Sequence, residues 1–90
     1  MPEMAVELTG RDLLRGMQNV TILREIRERH QHAKIQVAGR SVAVDMQTAN
    51  VLIMVYDALG LEAQAKFAGM LHHSPGTFRR LVDFSWGQVK

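Results

Sequence analysis

Apolar residues recur along this chain with two different periods, and the change between them falls near its middle. From Lys34 to Asp45, Ile35, Val37, Val42 and Val44 alternate with Gln36, Ala38, Ser41 and Ala43. That is the period of a half-buried strand. Gly39-Arg40 supplies a two-residue turn of the II′ kind, because glycine accepts positive φ at the first central position. The resulting hairpin sets Val37 opposite Val42 and Ile35 opposite Val44, with all four on one face. Asp45 then ends the strand and caps the next helix, accepting from the backbone N–H of Gln47 or Thr48. The run Val51-Leu52-Ile53-Met54-Val55-Tyr56 covers more than one helical face, so helix Met46–Leu59 is expected to be buried on several sides. Gly60 fits a left-handed C′ position, with Leu61 folding back on Tyr56.

Upstream, Leu8, Thr9, Asp12 and Leu13 make a coherent helix start. Thr9 is the N-cap, Asp12 occupies N3, and Leu8 staples onto Leu13. Leu13, Leu14 and Met17 give this helix one apolar face, and Asn19 offers a left-handed end. Residues 20–28 carry two readings. As a helix, Glu25 and Arg29 form an i,i+4 pair of favourable polarity. A continued helix, however, sets Ile22 and Ile26 nearly opposite Leu13 and Met17, and the cluster Val20-Thr21-Ile22 suits a strand. The strand reading is adopted. It pairs residues 20–28 with Lys34–Ala38 and completes a three-stranded antiparallel meander, turning at Arg29–Ala33.

Downstream, Glu62–Leu71 reads as a short helix with Ala63, Phe67, Met70 and Leu71 inward. His72-His73 reads as a solvated loop. Ser74 caps the last helix and Pro75 sits at N1, where no helical partner is lost. Phe78, Leu81, Val82, Ser85, Trp86 and Val89 share a broad face of that helix, with Phe84 on its flank. The expected fold is α+β, in the order α-β-β-β-α-α-α, with about four helices covering a small sheet. Residues 1–8 are expected to be loosely ordered and residues 9–90 to form a single globular domain.

Composition narrows the function classes. At 90 residues and 47% hydrophobic, the chain has the size of one domain and a core too rich for disorder. The absence of cysteine removes disulfide and thiolate chemistry. No secretory signal is visible at the N-terminus and no apolar run is long enough to span a membrane, so a cytoplasmic location is expected. Asn19-Val20-Thr21 matches the glycosylation sequon, which has no meaning in that setting. The net charge of +2 is too small to imply nucleic acid by itself.

Candidate chemistry is sparse. His30 and His32 could face one way on an extended segment, but adjacent His72 and His73 cannot easily do so, no cysteine supports a metal site, and the two pairs lie far apart in sequence. The acidic residues and serines are accounted for by caps, turns and surface pairs. No nucleophile elbow, phosphate loop or dinucleotide fingerprint is present, so no enzyme activity, cofactor or small-molecule substrate is expected. Arg24, Arg27, Arg29, Lys34 and Arg40 fall on the expected meander and would form a basic sheet face. Such a face can meet phosphates, although no aromatic lies on these strands to stack bases. Phe84 and Trp86, with Met54 and Met70, exceed what one small monomer is expected to cover, and Trp, Phe and Met are enriched at interface cores, so Phe84, Trp86 and Arg80 are the expected protein interface. The expected function is therefore a protein-binding module (adaptor, regulator or inhibitor), with a homodimer as the expected assembly. A nucleic-acid-binding regulator using the basic meander is the alternative.

Overall fold

The computed structural model describes residues 7–89, which form four helices and a two-stranded antiparallel hairpin. The order is α1 (Gly10–Arg29), β1 (Ala33–Val37), β2 (Arg40–Val44), α2 (Met46–Asp57), α3 (Leu61–His73) and α4 (Pro75–Gln88). The expected α+β class holds. The third strand expected at residues 20–28 is not formed, and among the described residues the order is α-β-β-α-α-α.

Residues 20–28 are the second half of α1, not a strand. The helix starts on the expected capping box: Thr9 Oγ1 accepts from Asp12 N–H and Asp12 accepts from Thr9 N–H. It runs unbroken past Asn19 to His30, whose left-handed φ of 55° ends it. The inward stripe is Asp12, Gly16, Asn19, Val20, Leu23 and Ile26, which recurs every three to four residues. Leu13, Leu14 and Met17 are exposed instead. The objection to a continued helix assumed that these three pointed inward. The true inner face is small and polar in its first half and apolar only in its second.

The hairpin forms close to the expected span, over Ala33–Val37 and Arg40–Val44, but its turn is Ala38-Gly39. Ile35 pairs with Val42, Val37 with Arg40 and Ala33 with Val44. Both central residues have positive φ, 52° at Ala38 and 82° at Gly39, as a type I′ turn requires. Moving the turn by one residue moves each cross-strand partner by two, so Ile35, Val37, Val42 and Val44 still share a face. Hydrophobic patterning is blind to that change.

Asp45 caps α2 by accepting from Thr48 N–H at 2.7 Å. Every residue of the run 51–56 except Met54 is buried. Gly60 is not a left-handed cap: with φ −73° it is the N-cap of α3, and Leu61 is 87% exposed. The α3 helix extends through His72 and His73. Ser74 caps α4 as expected, accepting from Thr77 N–H. Leu23, Ile35, Val37, Leu52, Ile53, Leu71 and Leu81 are almost wholly buried where the four helices meet the inner face of the hairpin. Tyr56 and Phe67 pack edge-to-face in the same core, with centroids 5.8 Å apart. The loosely ordered segment expected at residues 1–8 falls largely outside the described residues.

Candidate functional site

The first half of α1 lies against α3 at close range. A side chain at Gly16 would collide with the backbone carbonyl of Ala68, so only glycine permits this approach. One turn on, Asn19 is buried, and its amide donates to Gln36 O at 2.8 Å and to Leu71 O at 3.4 Å. One turn before Gly16, Asp12 is buried and faces the end of α3. Its Oδ1 lies 2.8 Å from His72 Nδ1 and its Oδ2 lies 3.3 Å from His73 Nδ1. A single carboxylate thus serves a helix cap and two consecutive histidines.

The electrostatics of Asp12 follow from these contacts. Burial alone would raise its pKa, but hydrogen bonds from His72, the Thr9 backbone and His73 outweigh it and bring the carboxyl down to about 2. An ionised carboxylate only accepts, so the histidines donate through Nδ1. That leaves Nε2 of His72 free of any hydrogen bond among the described residues.

His72 forms part of the wall of a pocket of about 520 Å³. Arg11 and Arg15 from α1 line it beside His72, with Gln36, Ala38 and Gly39 from the hairpin opposite. Neither arginine is ion-paired among the described residues; Arg15 only donates to Gln18 at 3.3 Å. Sequence patterning does not reveal this group, because a cap accounts for Asp12 and His72-His73 reads as a loop. The signal available was Arg11 and Arg15 at i,i+4, a like-charged spacing that disfavours an isolated helix.

A second, larger groove of about 680 Å³ is apolar. Leu8 and Leu13, Leu59, Phe67 and Met70, and Phe84 line it, with Glu62 and Lys66 among its polar residues. Phe84 is half-buried against the core from the groove side. Trp86 does not join it. At about 100° per residue the two point about 160° apart around α4, and Trp86 is 40% exposed. The shared stripe on α4 is therefore narrower than expected: Phe78, Leu81 and Ser85 are buried, while Trp86 and Val89 are exposed. Arg80 is exposed one turn before Phe84.

The expected basic sheet face is not formed. Arg24, Arg27 and Arg29 belong to α1, and only Lys34 and Arg40 belong to strands. Arg24 grips Asp57 at the end of α2 through two bonds of 2.6 and 3.2 Å, and its guanidinium stands 5.8 Å from the Tyr56 ring centre. Its hydrogen bond to Asp57 raises the Arg24 pKa and lowers that of Asp57. Arg27 lies 3.8 Å from Glu28. Among the described residues no group of three or more His, Cys, Asp or Glu side chains is placed to hold a metal ion. Among them, too, no helix is long and apolar enough to cross a membrane. Compared with protein-family models, with curated proteins and with solved structures, the chain has no match.

Proposed function

We propose that this chain is a small non-catalytic protein-binding module, that its docking surface is the apolar groove beside Phe84, and that a second copy of the chain is its partner. The observation that carries this reading is the groove itself, open to water and lined by leucine, methionine and two phenylalanines. Leu61, which is 87% exposed, lies between the groove residues Leu59 and Glu62. Large exposed apolar surface on a small domain marks a place where something docks. The charges around it support self-association. Glu62 and Lys66 line the groove, and Arg80 lies one turn from Phe84, so both signs are present on one patch. A two-fold axis brings the same patch to itself and lets unlike charges meet across it.

Sedimentation equilibrium over a micromolar range tests the reading. The protein is expected to form a dimer as concentration rises, and Phe84→Glu to remain monomeric with an unchanged helical signal. Trp86→Ala, on the opposite side of α4, is expected to dimerise as the parent does. A parent protein that stays monomeric throughout, or a Phe84→Glu variant that still dimerises, overturns the proposal.

A further inference from the structure

We propose that the pocket between α1, the hairpin turn and the end of α3 is a binding site for a tetrahedral oxyanion of the phosphate class, carried on a small molecule. Three features support it independently of the apolar groove. The first is unspent positive charge. Arg11 and Arg15 line the pocket together and have no carboxylate partner among the described residues. Guanidinium forks match phosphate oxygens two at a time, and a tetrahedral oxyanion has oxygens enough to meet both forks and the imidazole together.

The second feature is a buried, oriented imidazole. His72 is 8% exposed, yet it lines the pocket. Asp12 holds its Nδ1 at 2.8 Å and so fixes the ring, leaving Nε2 as its unused polar atom. The carboxylate that anchors the ring to α1 also sets its orientation beside Arg11 and Arg15. Nε2 suits a phosphate in either protonation state. It accepts from a phosphate hydroxyl, or donates to a phosphate oxygen when it carries a proton.

The third feature is the opposite wall. Ala38 and Gly39 form the two-residue turn, whose central N–H groups take no part in the strand ladder. Successive backbone N–H groups of a turn are suited to approach an anion. The volume of about 520 Å³ leaves room beyond the oxyanion for the group that carries it.

Titration with inorganic phosphate and, separately, with phenyl phosphate at constant ionic strength tests the assignment, read by NMR shifts of the His72 ring and the Gly39 amide. Both signals are expected to move and saturate in the millimolar range or below. The ester binding more tightly identifies a carried phosphate; inorganic phosphate binding as tightly or more so identifies the free ion, and upholds the site while overturning the carrier. Arg11→Gln with Arg15→Gln replaces two exposed side chains, leaves the Asp12 network intact, and is expected to weaken binding by about tenfold or more. Signals that do not saturate, chloride producing the same shifts, or a double variant that binds as well as the parent overturns the site.

Discussion

The imidazole of His72 sits 2.8 Å from the carboxylate of Asp12, across 60 residues of chain. This contact closes the molecule, because Asp12 begins the first helix and His72 stands near the end of the third. Asp12 is held down to about 2 from an ordinary 3.8. A carboxylate with a lowered folded pKa contributes stability above its unfolded value and loses it as pH falls through the folded one. Urea unfolding is therefore expected to show a loss of stability between about pH 4 and pH 2, from this group. Asp12→Asn should be less stable at neutral pH by about 1–3 kcal/mol and should show a flatter profile through that acid window. A variant profile parallel to the parent's would refute the assignment.

Gly16 sets a second test, because the α1–α3 contact depends on its missing side chain. Gly16→Ala is expected to cost about 2 kcal/mol or more, since the Ala68 carbonyl is backbone and has little freedom to yield. Gly10, in the first turn of the same helix, meets nothing within 4 Å. Gly10→Ala should be neutral or stabilising by up to about 1 kcal/mol. Denaturant midpoints of the two variants check the contrast, and equal midpoints would contradict the close approach.

Ala38 provides the third. It holds a φ of 52° without being glycine or asparagine, in a turn whose first position favours asparagine. Ala38→Asn is expected to raise stability by about 0.5–1 kcal/mol, since left-handed backbone costs an alanine about that much or more. Thermal unfolding decides it. A lowered midpoint would mean that the turn is not of the I′ kind.

These positions also explain what could be read in advance. The hairpin face, the Asp45 and Ser74 caps, the Thr9 capping box and the buried helix from Met46 all follow from local rules of period and cap chemistry, although that helix ends at Asp57 rather than Leu59. The second half of α1 reads as a strand because the helix buries Asp12, Gly16 and Asn19 where an apolar stripe is expected. Those residues face inward only because α3 supplies a carbonyl to avoid, a carbonyl to accept and two imidazoles to donate. These partners lie far off in sequence, with Asn19 52 residues from Leu71 and Asp12 60 from His72. The same long-range pairing hid the basic pocket, whose six residues come from three separate segments. Phe84 could be singled out by angle alone, whereas Trp86 required knowing which side of α4 the core occupies.

Asn19 carries one more consequence. In this register the Gln36 carbonyl points away from β2, and the Asn19 amide occupies it while α1 and α3 pack against β1. The outward groups of Ser41 and Ala43 on β2 have no backbone partner among the described residues. The sheet is thus sealed on one side and open on the other. A strand offered by another polypeptide has a single edge on which to lie, five residues long, and growth of the sheet from this hairpin is one-directional.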